Sequence, residues 1–340
     1  MIGETMMSAD EIFKKCQNIL NELLTCPFGI PYLDDAILGM SPGEVTLLGA
    51  RSGSGKTEAA TQIVLEQQNH EKNKAKSVLY IALDHEPGEI ENRVMWRLLV
   101  DQIKTVRPAQ FHGVTLRYAA WRKGKYRDLL DAFEGDSRVY LKHLFSLSET
   151  RFIYQKGAMT ARQIADLIAV GGFNLYVIDH FHAVRGIDKL EEQGEAITAI
   201  CRAAETVDRP VLILGQFRKG STIGKSPIPS MEDFAGSSQL HYQPQNIIVL
   251  APKYGDDHTK WETYFHVVKS RVASDAKAFV GIHSFDMERK QYSEKYSIGR
   301  FKPLSEPAEL PISQIPAWAK NASGPLVITK PKGASPYRDD

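Results

Sequence analysis

Gly49-Ala50-Arg51-Ser52-Gly53-Ser54-Gly55-Lys56-Thr57 is the stretch from which the rest of the chain is read. An apolar run of β character, Val45-Thr46-Leu47-Leu48, leads into it, and Glu58 to Gln67 follows with Ala, Ile, Val and Leu at helical spacing. The order is strand, glycine turn, helix. Glycines 53 and 55 let the backbone coil so that successive N–H groups turn inward on an anion, and the following helix adds its positive N-terminal end. A triphosphate fits such a cradle. In the P-loop pattern Lys56 reaches the β- and γ-phosphates and the Thr57 hydroxyl sits on Mg²⁺, so MgATP is the expected ligand. The first glycine of that pattern falls at residue 50, which is Ala here, with Gly49 one place early. A small residue keeps the turn open.

At 340 residues with 43% hydrophobic side chains, the chain can bury one large core, and one nucleotide-binding domain with short appendages is the simplest fit. With 42 basic and 41 acidic side chains the net charge is +1, so no global field draws it onto nucleic acid and any such contact must be local. Cys16, Cys26 and Cys201 are too few and too scattered for a disulfide framework or a zinc site, which points to reduced thiols in a cytoplasmic protein. No leader-like N-terminus and no run near the roughly 18 apolar residues of a membrane span is present, so no membrane contact is expected.

Three regions are expected: residues 1–26 as an amphipathic helix, 27–300 as the main domain, and 301–340 as an extended tail punctuated by prolines. In the first, Ser8-Ala9-Asp10-Glu11 reads as an N-cap with an acidic first turn, and Ile12, Phe13, Cys16, Ile19, Leu20, Leu23 and Leu24 recur at helical spacing. That stripe packs either on its own domain or on a neighbouring subunit. Pro27 to Gly43 reads as punctuation before the first strand.

The later strands end in polar residues. Ser77 to Leu83 is a buried strand running into Asp84-His85-Glu86, where carboxylates stand at the ligand-binding edge of an open α/β sheet. Either Asp84 or Glu86 is placed to orient an attacking water, and a capping role for a helix from Glu89 to Leu99 is the plainer alternative. Leu175-Tyr176-Val177-Ile178-Asp179 ends in the acid a Walker B element needs, with Asp179 beside Mg²⁺ and Thr57. After a helix from Glu195 to Val207, Val211 to Gln216 is the next strand, with Gln216 at its tip to sense a γ-phosphate. Val139-Tyr140-Leu141 reads as a short strand and Thr160 to Val170 as a helix. Asn246–Leu250, Phe265–Val268 and Ala278–Ile282 read as strands, the middle one closed by Lys269-Ser270-Arg271.

Two loops leave these strand ends. Ala183 to Lys189 carries Arg185 and Lys189, and Phe217 to Pro227 carries Arg218, Lys219 and Lys225 with no acid. Between Arg107 and Arg127, basic residues alternate with Phe111, Tyr118, Trp121 and Tyr126, which suits either nucleic acid or the solvated face of a helical excursion.

Taken in order, the P-loop, the strand with a terminal acid, the Walker B strand, the strand ending in Gln and the Lys-x-Arg pair resemble the RecA-like motor domain of the hexameric replicative DNA helicase (DnaB-like) family. Phe28-Gly29-Ile30-Pro31-Tyr32-Leu33-Asp34 and Gly39-Met40-Ser41-Pro42-Gly43-Glu44 are similar to the family's lead-in, and Ala50-Arg51 to its Ala-Arg variant of the P-loop. The resemblance covers about Phe28 to Tyr292. It implies an α/β fold, a RecA-like P-loop NTPase with a largely parallel central sheet flanked by helices. It also implies Asp84 rather than Glu86 as the catalytic acid, Gln216 as sensor, and Lys269 and Arg271 reaching the ATP of the adjacent subunit. The Ala183–Lys189 and Phe217–Pro227 loops resemble DNA-contacting loops.

Four departures accompany it, one of them that the loop after Asp179 is short. Asp84 stands where the family has Glu, Gln239 to Asn246 is mostly neutral where the family is charged, and only the helix at residues 8–24 stands before the motor domain in place of the family's primase-meeting domain. That helix looks like the family's linker helix. The reading is an ATP-driven ring, expected as a hexamer, that moves single-stranded or forked DNA alongside replication or loading proteins. The alternatives are a RecA-like mediator that binds or loads DNA without unwinding it, and a nucleotide-switched oligomeric scaffold.

Overall fold

The computed structural model describes residues 25–68, 77–106, 115–125, 150–217, 236–254, 261–273, 280–299 and 327–329. Their strands form one sheet centred on β1 (Val45–Ala50), which pairs parallel with β5 (Val211–Gln216) on one side and β6 (Asn246–Tyr254) on the other. From β5 the parallel set continues through β4 (Leu175–Asp179) and β2 (Val78–Ala82) to an edge strand, β3 (Thr150–Tyr154). From β6 the pairing turns antiparallel through β7 (Trp261–Ser270), β8 (Val280–Asp286), β9 (Gln291–Gly299) and β10 (Val327–Thr329). The order across the sheet is therefore β10-β9-β8-β7-β6-β1-β5-β4-β2-β3.

Every residue of β1, β2 and β4 is buried, because helices cover both faces of the parallel set. Alternate side chains along each strand serve opposite layers. On one face Leu47, Leu79, Ile81, Ile178 and Ile213 pack with α5 (Ala161–Val170) and α6 (Leu190–Val207), through Ile164, Ile168, Ile197 and Ile200. On the other, Leu48, Tyr80, Val177, Leu212 and Leu214 meet α1 (Pro31–Ile37) and α2 (Lys56–Gln67), through Leu33, Ile37, Ala59, Ala60, Ile63 and Val64.

The structure bears out the expected α/β fold with a largely parallel sheet. Several elements differ from the sequence reading in extent. The connector before β1 contains α1, where Pro31 at the first turn sets φ for a helix rather than breaking one. The helix expected to stop at Leu99 is α3 (Glu89–Val106), and α6 begins at Leu190, ahead of Glu195. Three strands, β3, β9 and β10, fall where none was expected. All three lie toward the rims of the sheet, where a strand needs no long unbroken apolar run to mark it in the sequence.

The basic, aromatic segment is partly described. Tyr118 and Trp121, on α4 (Tyr118–Arg122), stack against Trp96 of α3 with ring centroids 6.0 and 5.7 Å away, whereas Arg117, Arg122, Lys123 and Lys125 are exposed. Those two aromatics are thus committed to a small apolar cluster and leave a solvated basic face. The expected helix at 8–24, the strand at 139–141, the loop from 218 to 227 and the tail apart from 327–329 lie outside the described residues. Among those described, no helix is long and apolar enough to cross a membrane.

Candidate active site

The parallel strands deliver their C-terminal ends to one edge of the sheet, the usual place for a ligand in an open α/β fold. Register sets the site: Ala82 lies beside Asp179, and Ala50 beside Gln216. Beyond Ala50 the chain turns through Gly53 (φ 76°) and Gly55 (φ 86°), both left-handed, and enters α2 at Lys56. Gly55 is constrained twice, since a Cβ there would also run into the hydroxyl of Tyr292, which donates to the Gly55 carbonyl at 3.3 Å.

Lys56 Nζ donates to the carbonyls of Ala50 and Arg51 at 3.0 and 3.1 Å. Burial lowers its pKa, and the nearby charge of Asp179 works the other way. Asp179 Oδ2 accepts from Thr57 Oγ1 at 3.0 Å and Tyr80 Oη at 2.7 Å, and lies 3.0 Å from His85 Nε2. Burial alone would raise the pKa of Asp179, but the hydrogen bonds from His85, Tyr80 and Thr57 outweigh it and hold the carboxyl below its ordinary value. For His85 the balance is similar. Burial disfavours the imidazolium, while Asp179 and Glu89, the latter 3.4 Å from Nδ1, raise its pKa.

Glu89 opens α3 and pairs with Arg93 at 2.9 Å; Arg93 also pairs with Glu58, which accepts from the buried Arg97 at 2.9 Å. An unbroken line of charged groups therefore ties the tip of β4 to the first turn of α2. It links Asp179 to the N-terminal turn of α2 through paired charges.

A cavity of about 370 Å³ opens onto these groups and is lined by Ser52, Gly53, Gly55, Lys56, Thr57, Asp84, Asp179 and Gln216 among others. The two candidate acids part company here. Asp84 faces the cavity, with Oδ2 3.4 Å from His180 Nε2, whereas Glu86 is exposed outside it and pairs with Lys156 at 2.7 Å.

Lys269 and Arg271 stand elsewhere. Lys269 is level with Ile247, and Ile247 with Leu47, so the pair lies toward the start of β1, at the other end of the sheet from the P-loop. Lys269 Nζ donates to the carbonyls of His241, Tyr242 and Pro244 at 2.9, 2.8 and 2.6 Å, and Arg271 Nη2 donates to that of Tyr242 at 2.9 Å. Both therefore sit on the C-terminal end of α7 (Gln239–Tyr242), where cations complement the helix dipole. Arg185 is exposed and bridges to Thr160, while Lys189 caps α6 and pairs with Glu192 at 3.7 Å. Arg218, Lys219 and Lys225 lie outside the described residues.

The sequence reading gave no role in the site to Tyr80, His85, Arg93, Lys290 or Tyr292. Arg93 and Arg97 carry a local signal, four residues apart on one helical face. Tyr292 carries none, because it reaches the site through Gln62, which lies 230 residues away.

The donors suit Mg²⁺. The Thr57 hydroxyl and the Asp179 carboxylate are hard oxygen donors meeting beside the glycine turn, and among the described residues no cluster of three or more His, Cys, Asp and Glu side chains offers a separate metal cage.

A profile of the DnaB-like helicase C terminal domain matches residues 26–278. Among solved structures, one described as an ATPase domain aligns with a TM-score of 0.61 at 17% identity, over 84% of this chain and 98% of that one. "The Structure Of A DnaB-Like Replicative Helicase And Its Interactions With Primase" aligns with a TM-score of 0.59 at 16% identity, over 85% of this chain and 67% of that one. At these identities the solved structures speak for the fold. No curated protein sequence shows significant similarity to the chain.

Proposed function

The chain belongs to the DnaB-like helicase C-terminal domain family, and from that footing we propose that it is the ATPase motor of a ring-forming DNA helicase or translocase. The observation that carries this reading is the 3.0 Å contact of Thr57 with Asp179 beside Lys56, on a cavity shared with Asp84 and Gln216. Each group has a task that its position supports. Lys56 exchanges two loop carbonyls for phosphate oxygens. Thr57 and Asp179 hold Mg²⁺, which when bound neutralises charge on the phosphates. Asp84 orients the attacking water, and Gln216 at the tip of β5 reads the γ-phosphate and passes its presence to the loop that follows Phe217.

Lys269 and Arg271 act on the ATP of a neighbouring subunit. A finger and a P-loop at opposite ends of one sheet suit a head-to-tail interface, which forms a ring when the rotation between subunits closes. DNA is held by the loops from Ala183 to Lys189 and Phe217 to Pro227. The reading is tested with ATP, Mg²⁺ and a forked DNA substrate. DNA-stimulated hydrolysis with strand displacement is the expected result. Hydrolysis and salt-dependent DNA binding without displacement would favour the mediator reading, and absence of hydrolysis would refute both.

A further inference from the structure

The turn between β8 and β9 carries a lysine to which the mechanism above gives no task. Lys290 lines the same cavity as Lys56, Thr57 and Asp179. Its backbone φ is 57°, the left-handed region in which a residue with a side chain is strained and glycine is the usual occupant. Such a conformation persists where the surroundings over-determine it. Here the turn is clamped from both sides. Trp96 Nε1 donates to the Glu288 carbonyl at 2.7 Å, Arg289 pairs with Asp101 at 2.7 Å, and the Gln62 amide exchanges two hydrogen bonds, 3.0 and 2.8 Å, with the backbone of Tyr292.

The result is a half-buried lysine on the wall of the cavity that the glycine turn also lines. Among the described residues Nζ has no hydrogen-bond or ion-pair partner; its contact is the face of the Phe285 ring, with the centroid 5.8 Å away. Glu58, the carboxylate whose field reaches it, already holds both Arg93 and Arg97. Burial accordingly pushes the Lys290 pKa down, with Glu58 opposing. An ammonium that gives up hydration without gaining an acceptor is destabilising on its own. An anion entering the cavity removes that cost.

We propose that Lys290 is a second cation of the nucleotide site, donating to triphosphate oxygens from the same subunit as Lys56. The inference rests on the nucleotide-binding reading and adds a residue to it. The polyphosphate chain is what it recognises, so the contact is independent of the base.

Lys290→Gly is the informative variant, because it removes the amine while fitting the left-handed backbone, and the fold should hold. Lys290→Arg keeps the charge, and Lys56→Ala serves as control. Binding of a non-hydrolysable ATP analogue with Mg²⁺ is measured on the full chain, together with its displacement by inorganic tripolyphosphate. Loss of a charge-assisted hydrogen bond predicts about ten- to hundred-fold weaker binding of both probes to Lys290→Gly, near-native binding to Lys290→Arg, and an unliganded thermal midpoint that does not fall. Native affinity of Lys290→Gly for the analogue would overturn the proposal. So would weakening toward the analogue with unchanged tripolyphosphate displacement, which would assign the lysine to base or ribose. If the wild-type chain binds neither probe, or Lys56→Ala binds both normally, the nucleotide reading fails and this inference with it.

Discussion

Asp84 and Glu86 are two residues apart and chemically alike, yet their surroundings differ. Asp84 looks into the cavity beside His180, and Glu86 spends its charge on Lys156 at the surface. Asp84→Asn should lower ATP turnover by about 10² or more, the scale of a lost general base, while Glu86→Gln should stay within about twofold. Steady-state hydrolysis on both variants decides, and the reverse ranking would swap the roles. A second residue-scale effect concerns stability. His283 is fully buried against Phe265, with ring centroids 4.6 Å apart, and burial lowers its pKa from 6.5 to about 3. The unfolded chain then binds a proton that the folded chain refuses, so stability is intact above pH 6.5 and is lost as pH falls toward about 3. The loss amounts to about 2 kcal/mol by pH 5. Asp34, whose pKa burial raises to about 6, acts in the opposite sense as pH falls below that value. Comparing His283→Leu with wild type cancels the Asp34 term. The variant's thermal midpoint should fall less between pH 7 and pH 5, and parallel curves would show that His283 carries no such penalty.

At the scale of elements, β9 is tied to α2 rather than merely adjacent to it. The Gln62 side chain both donates to and accepts from the Tyr292 backbone, and Tyr292 reaches across to Gly55. Gln62→Leu should leave a buried N–H and a buried carbonyl unpaired, at about 1 to 3 kcal/mol each. A drop of several °C in thermal midpoint is expected, at about 2 to 4 °C per kcal/mol for a domain of this class, together with weaker nucleotide binding because Tyr292 and Lys290 lose their anchor. An unchanged midpoint would mean that β9 is held by its sheet neighbours alone.

These ties mark where the sequence stopped being legible. The strand, glycine turn and helix around Lys56 could be read because each residue's role there depends on its near neighbours, and Asp179 and Gln216 because they end unbroken apolar runs. His85 had the right address beside Asp84 but no pattern to separate it from a capping residue. Phe285, Lys290 and Tyr292 reach the cavity through strand pairing and contacts with α2 that are distant in sequence, and the alternation Gln291-Tyr292-Ser293-Glu294 resembles many exposed segments. Trp121 and Tyr118, which the sequence allowed on either a base-stacking surface or the face of a helical excursion, pack on Trp96.

For the whole molecule, the arrangement of the sheet matters most. The P-loop lies at the C-terminal ends of the parallel strands, and Lys269 and Arg271 lie at the other end, braced on α7. On the proposed reading, one chain presents an incomplete catalytic site on one side and a pair of cations on another. In the proposed ring, head-to-tail assembly would bring a finger from each subunit to the ATP of the next, where such an arginine contributes about 10³ to 10⁵ in rate. The measurement that tests this most directly mixes two defective proteins, Lys56→Ala and Arg271→Ala, under conditions where subunit exchange is demonstrated. Each alone should be nearly inactive. In an equal mixture about a quarter of head-to-tail interfaces join an intact P-loop to an intact finger, and hydrolysis should return in that proportion. No recovery in exchanged rings, with Arg271→Ala alone hydrolysing ATP at the wild-type rate, would contradict a site completed by the neighbouring subunit.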